Sequence, residues 1–135
     1  MKVLCLALFL LAAIVLGDEV QDRYDNVHKG CQKDPALYVD DAIFAKLKRG
    51  EKVNNLPANF GAHAFCMLKN LDLQDSQGKI QQAAVQKAVE RSEADQVKAK
   101  RITAECSALN KGTKEDSALA LFDCLGKNRI NIGQL

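Results

Sequence analysis

Four cysteines spread along the chain constrain its fold more than any other feature of the sequence. Of the five cysteines among the 135 residues, Cys5 lies in an apolar N-terminal run, and the others are Cys31, Cys66, Cys106 and Cys124. An even number of cysteines in a small exported chain is typical of a disulfide framework. Four cysteines permit three pairings, so the count predicts two disulfides without saying which cysteines they join.

A zinc site is the competing interpretation of the same cysteines. The sequence contains no C-x-x-C and no H-x-x-x-H pattern, and its two histidines, His28 and His63, are not next to paired cysteines. We therefore expect no metal and no cofactor. Both histidines are expected at the surface or at the rim of a pocket.

The first 17 residues, MKVLCLALFLLAAIVLG, are typical of a secretory signal peptide. Lys2 gives a short positive start, Val3–Leu16 is an unbroken apolar run, and Gly17 is a small residue at a cleavage point. That run is shorter than the roughly 20 residues needed to span a bilayer. The sequence thus predicts residues 1–17 as a signal peptide, residues 18–135 as one secreted domain, and no stable membrane insertion.

The remainder of the chain has the periodicity of helices and no sustained period-2 alternation. Helices of roughly 10 to 16 residues that cross at steep angles tend to enclose a cavity. The sequence therefore predicts an all-α single domain of about six short helices around an apolar cavity. The predicted boundary signals are Asp34-Pro35 and Gly50 for the second helix, Ser92 and Gly112 for the fifth, and Thr113 and Gly126 for the sixth.

The acidic stretch DLQDSQG, residues 72–78, raises the question of a calcium loop. With Gly78 at the sixth position of an EF-hand loop, Leu73 takes the first position and Ala84 the twelfth, where calcium needs oxygen ligands. We therefore expect a tight corner between helices, with Asp75 or Ser76 as a cap and a positive φ at Gly78.

The sequence also lacks the patterns of several functional classes. No G-x-S-x-G, H-E-x-x-H, P-loop or G-x-G-x-x-G motif occurs, so we do not expect an enzyme. The basic residues are scattered without interleaved aromatic residues, and the formal net charge is only +2, so nucleic acid is not an expected partner.

A large apolar interior with few polar groups favours a container for a small apolar ligand. In the C-terminal tail, apolar and polar residues alternate, which predicts an extended segment that folds back over the helices with Leu135 pointing inward. The candidate ligand-binding residues are Phe44, Phe60, Met67, Leu68, Val85, Ile102, Leu109, Phe122, Ile130 and Ile132.

The chain after residue 17 resembles the insect odorant-binding and pheromone-binding protein family. The resemblance is carried by the spacing C-x34-C-x39-C-x17-C, by the stretch CMLKNLDLQDSQGKI and by the last cysteine in LALFDCL. It implies a six-helix fold and a secreted carrier of odorants, pheromones or other small hydrophobic molecules, in sensillum lymph, haemolymph or gland secretion. A receptor or a second copy of the chain is left open as a further partner.

The usual pattern of that family has six cysteines, and two of the six positions hold Ala62 and Glu115 here. Because the family joins these two positions by a disulfide, their joint absence resembles its four-cysteine, or minus-C, branch. Ala62 and Glu115 are then expected to lie near one another. The resemblance also implies the disulfides Cys31–Cys66 and Cys106–Cys124.

A secreted helical cytokine or peptide hormone without a ligand cavity is the alternative from another functional class. Such a protein would also be disulfide-linked, but it would signal through its surface and favour helices near 20 residues. The glycines that interrupt this chain at short intervals argue against helices of that length.

Overall fold

The computed structural model describes residues 19–134, which form six helices. Residues 19–134 contain no strand, and the residues Gln74 and Ile80 form an isolated antiparallel bridge. The predicted all-α fold is confirmed, whereas the predicted signal peptide and Leu135 lie outside the described residues. The helices are α1 (residues 19–32), α2 (Asp41–Lys48), α3 (Phe60–Asn70), α4 (Gln82–Ser92), α5 (Gln96–Ser107) and α6 (Lys114–Lys127).

Two predicted helix starts were wrong. The Asp34 carboxylate accepts a hydrogen bond in a turn before α2, and α2 begins only after Asp40, whose carboxylate accepts from the N–H of Ala42 at 2.9 Å. Ser92 belongs to the end of α4, and Asp95 caps α5 instead. Before each of these two helices the sequence offers two residues that are favourable N-caps, so the local sequence alone does not select the one that is used.

The predicted cap of α6 is confirmed, and the predicted end of α5 was wrong. Thr113 Oγ1 accepts a hydrogen bond from the N–H of Asp116 at 3.0 Å and so satisfies one of the free donors in the first turn. Helix α5 ends at Ser107, five residues before Gly112, and the intervening loop is fixed by a bond from the N–H of Lys111 to Ser117 Oγ at 2.7 Å.

Helices α2, α3 and α6 end with the same hydrogen-bond pattern, a Schellman motif. In α6 the N–H of Ile130 donates to the Leu125 carbonyl at 2.9 Å, and the N–H of Arg129 donates to the Gly126 carbonyl at 3.1 Å. The predicted C-cap at Gly126 was therefore wrong, because Gly126 is helical and the left-handed position comes later. That position is held by Gly50 (φ 75°) in α2, Asp72 (φ 62°) in α3 and Arg129 (φ 55°) in α6.

The corner between α3 and α4 is built as predicted. Asp75 Oδ1 accepts hydrogen bonds from the N–H groups of Gln77 and Lys79, both at 2.9 Å, and Gly78 has a φ of 88°. A methyl group at Gly78 would collide with the backbone and side chain of Lys114, so the corner packs closely on the start of α6. The Asp75 carboxylate thus holds the turn.

Both disulfides join neighbouring helices. Cys31 of α1 is bonded to Cys66 of α3, and Cys106 of α5 to Cys124 of α6, with Cα separations of 6.1 and 5.6 Å. The pairing implied by the resemblance is therefore confirmed. The bonds span 35 and 18 residues, so each restricts the unfolded chain and stabilises the fold by about 3 to 4 kcal/mol.

Four helices bury their apolar faces together. Helix α3 lies against α6, α4 against α5, and α5 also against α6. Leu121 and Leu125 of α6 lie in this core with no exposed surface. Helix α2 differs from the others, because none of its residues is buried.

Candidate functional site

Six of the ten candidate ligand-binding residues lie together in the buried core. Two more, Leu109 and Phe122, are partly buried and pack against this core. The sequence thus located the apolar centre of the molecule, while contact of these residues with a ligand stays a prediction. The six buried residues, none more than 4 % exposed, are Met67, Leu68, Val85, Ile102, Ile130 and Ile132.

The remaining two candidates, Phe44 of α2 and Phe60 at the start of α3, pack together with both histidines. We call Phe44, Phe60, His28 and His63 the aromatic–histidine cluster. The Phe44 ring centre is 4.8 Å from that of His28, 4.9 Å from that of His63 and 5.7 Å from that of Phe60. Such ring contacts are worth about 0.5 to 1.5 kcal/mol each beyond the area that they bury. The cluster is therefore what places α2 on α1 and α3.

The expected exposure of the histidines was wrong for His63. His63 is only 1 % exposed, and His28 is partly buried. The core face of α3 includes position 63, one turn before Met67, so the helical period alone could have indicated its burial. The two histidines each precede a bonded cysteine by three residues, Cys31 and Cys66, and this equal offset brings their rings together.

A chain of hydrogen bonds runs through the cluster from α3 to α2. His63 Nδ1 lies 2.9 Å from the Leu37 carbonyl oxygen, and His63 Nε2 lies 3.2 Å from His28 Nδ1. His28 Nε2 in turn lies 3.0 Å from Asp41 Oδ1, and Gln32 Nε2 donates to the same oxygen at 3.2 Å. Asp41 is the first residue of α2, so this chain also fixes the start of that helix.

The surroundings of the two side chains at the ends of this hydrogen-bonded series, His63 and Asp41, shift their pKa values. Burial lowers the pKa of His63, against a smaller opposing effect of its hydrogen bond to Leu37. The hydrogen bond from His28 lowers the pKa of the Asp41 carboxyl, so this group is a carboxylate at neutral pH.

Ile130 and Ile132 of the C-terminal tail are buried, as its alternation predicted, but the tail bends at residues 132 and 133 rather than staying extended. The N–H of Asn131 donates to Ser92 Oγ at 2.9 Å and ties the tail to the end of α4. Gly133, with a φ of 114°, lies so close to α1 that a side chain there would collide with Tyr24. Burial, with a smaller effect of the Asp25 charge, raises the pKa of Tyr24 to about 12. The tail therefore closes the core beside α1.

Two of the surface clefts between the described helices have no candidate ligand-binding residue in their walls. The larger, of about 570 Å³, lies between α4 and α5 and has three glutamines and two glutamates in its walls. Both carboxylates already have partners, because Gln86 donates to Glu90 at 2.9 Å and Lys98 pairs with Glu93 at 3.3 Å. The smaller, of about 210 Å³, lies between the corner and the start of α6.

Residues 19–134 contain no group of three or more histidine, cysteine, aspartate or glutamate side chains placed to hold a metal ion. Over the same residues, no helix combines the length and the apolar character needed to cross a bilayer.

The comparisons with known proteins identify a family. A family model described as the PBP/GOBP family matches residues 15–128, from the predicted cleavage region to the end of α6. No match was found among curated proteins or among solved structures. Proteins of this family are secreted binding proteins rather than enzymes. Because the match spans most of a chain with the all-α, disulfide-linked fold described above, this chain belongs to the PBP/GOBP family of odorant- and pheromone-binding proteins.

Proposed function

We propose that this protein is a secreted carrier that binds small hydrophobic molecules, such as odorants, pheromones or other apolar compounds, in its interior. The observation that carries the proposal is the family match over residues 15–128. The short helices support it, since α2 to α6 run from 8 to 14 residues, whereas a helical cytokine favours helices near 20 residues.

The proposed ligand contacts are the ten candidate residues. Met67, Leu68, Val85 and Ile102 come from three different helices and meet at the centre of the core, where a ligand would replace their contacts with one another. Ile130 and Ile132 would cover the ligand from the tail side. An apolar site of this kind discriminates modestly, by roughly 1 to 3 kcal/mol per methylene.

We place the ligand entrance beneath α2. This helix buries no residue, while α3 to α6 each bury at least three. Its displacement would uncover Phe60 and His63, and His63 is one turn of α3 from the central Met67. Movement of α2 would therefore expose less buried surface than movement of any of α3 to α6, and it would open a path to the core.

Residues 1–17 are proposed to direct secretion and to be removed after Gly17. We also propose that the protein belongs to the four-cysteine branch of the family. Its two disulfides support this, and so does the contact between α3 and α6, where a methyl group at Gly61 would lie 3.2 Å from Glu115 Cβ. Ala62, the next residue, is the position that the resemblance pairs with Glu115.

Displacement of a fluorescent apolar probe tests the proposal. N-phenyl-1-naphthylamine should bind the oxidised protein saturably at micromolar concentration and be displaced by apolar esters, terpenes or acids. Phe60→Ala should weaken binding, because it removes a ring at the proposed entrance, whereas Val97→Ala, at a residue 81 % exposed on α5, should not. Absence of saturable binding across the whole panel would contradict the carrier function.

A further inference from the structure

Each of the two histidine rings uses its hydrogen on the side that faces away from the other ring. A carbonyl oxygen only accepts, so the hydrogen of His63 is on Nδ1, which donates to the Leu37 oxygen at 2.9 Å. The hydrogen bond from His28 lowers the pKa of the Asp41 carboxyl, so His28 Nε2 donates to this carboxylate at 3.0 Å. A neutral imidazole carries one hydrogen. In the neutral rings, the inner nitrogens His28 Nδ1 and His63 Nε2 therefore each present a lone pair.

The two inner nitrogens lie at the separation of two ligands of one metal ion. His28 Nδ1 and His63 Nε2 are 3.2 Å apart. Bonds from zinc to imidazole nitrogen are about 2.0 to 2.1 Å long, so two such nitrogens at a tetrahedral angle are about 3.3 Å apart. Without an ion, the two lone pairs face each other with no hydrogen between them, and a shared cation would relieve this contact.

The outward hydrogen bonds are of the kind that metal-binding histidines make. Such a histidine donates its other ring N–H to a carboxylate or a backbone carbonyl, which fixes the ring and makes the binding nitrogen more basic. His28 has the Asp41 carboxylate in this role, and His63 has the Leu37 carbonyl. The rings are also held from two helices, α1 and α3, which the Cys31–Cys66 bond joins. Both rings are thus oriented before any ion binds.

We propose that His28 Nδ1 and His63 Nε2 together bind one divalent transition-metal ion, with zinc as the best geometric fit. Imidazole nitrogen suits zinc, copper and nickel. Since residues 19–134 place no third histidine, cysteine or carboxylate as a ligand, water completes the coordination and the affinity is modest. The His28 side chain is 21 % exposed, which gives an ion access from solvent. The site goes beyond the proposed carrier function and does not depend on it.

The expectation of no metal came from the absence of closely spaced ligand motifs. Such motifs do not detect a pair of histidines 35 residues apart. The Cys31–Cys66 bond brings these two together, because each histidine precedes its cysteine by three residues.

Titration of the oxidised, untagged protein with zinc chloride at pH 7.5, followed by calorimetry, tests the inference. One equivalent should bind with micromolar affinity. The chain has two histidines, so His28→Gln and His63→Gln should each abolish this binding. Asp41→Asn should weaken it by about ten- to a hundredfold, because a weaker acceptor replaces the carboxylate that orients His28. Asp116→Asn, at an exposed carboxylate in the first turn of α6, is the matched control and should bind zinc as the unaltered protein does.

The histidine nitrogens report where the ion binds. In the protein labelled with ¹⁵N-histidine, zinc should shift the resonances of His28 Nδ1 and His63 Nε2 more than those of the two outer nitrogens. Absence of zinc binding, or binding that both histidine variants retain, would overturn the inference. A saturating titration that leaves both inner resonances unchanged would overturn it too, and this measurement on the unaltered chain decides the question even if a variant does not fold. Failure of the metal site would leave the proposed carrier function standing.

Discussion

Replacement of Gly126 by alanine should stabilise the protein, although Gly126 has the sequence context of a helix C-cap. In the structure Gly126 lies inside α6, has no positive φ, and would place a methyl group where no atom lies within 4 Å. Glycine is less favourable than alanine in a helix by about 0.8 to 1.0 kcal/mol. Near the end of α6, Gly126→Ala should therefore raise the free energy of unfolding by roughly 0.5 to 1 kcal/mol.

Gly50→Ala is the matched control, because Gly50 occupies the left-handed position of the same motif in α2 with a φ of 75° and also has no atom within 4 Å. An alanine in this conformation costs about 1 kcal/mol or more. Urea denaturation of both oxidised variants should thus shift the midpoint in opposite directions. A loss of stability in Gly126→Ala would show that Gly126 takes the left-handed position itself and would refute the assignment of Arg129.

Three further changes test other parts of the structure. Gly133→Ala should push the tail away from Tyr24 and lower the pKa of its phenol from about 12 towards the ordinary value of 10.0, as followed by ultraviolet titration. The control Gly30→Ala should leave this pKa unchanged. An unchanged titration of Gly133→Ala would mean that the tail does not cover Tyr24. Because burial lowers the pKa of His63, the folded state binds fewer protons than the unfolded state below about pH 6.5. The stability that His63 contributes should therefore be full above that pH and fall as the pH is lowered towards the folded-state pKa. His63→Gln should flatten this decline, and equal slopes for the two proteins would contradict the burial of His63. The double variant Ala62→Cys/Glu115→Cys should form a third disulfide and gain up to about 3 to 4 kcal/mol, and two free thiols under oxidising conditions would show that the cysteine alignment is wrong.

The helical period predicted the core because it depends on local geometry alone. The apolar residues on one face of α3 and of α5, such as Met67 and Ile102, are buried. Their burial follows from the helical spacing of apolar residues and does not require knowledge of which helix packs against that face. The corner at Gly78 was equally local, since the turn needs a residue that tolerates a positive φ.

Features that depend on distant residues could not be predicted in the same way. Helix α2 starts after Asp40 rather than at Asp34, and residue 39 is held outside the helix by Gln32, which exchanges two hydrogen bonds with the Val39 backbone. The left-handed conformation of Arg129 is stabilised by burial of Ile130 beyond it, and no glycine marks the place. The contact between His28 and His63 spans 35 residues and follows from the Cys31–Cys66 bond.

Binding of a small apolar molecule inside the helical core can be observed directly at one methyl group. The chain has two methionines, and of these Met67 lies in the core, only 1 % exposed. With ¹³C-labelled methionine methyl groups, titration with decanoic acid or methyl decanoate should shift the Met67 resonance until one equivalent is bound. A Met67 resonance that stays unchanged while calorimetry records saturated binding would place the ligand outside the core and contradict binding in the interior.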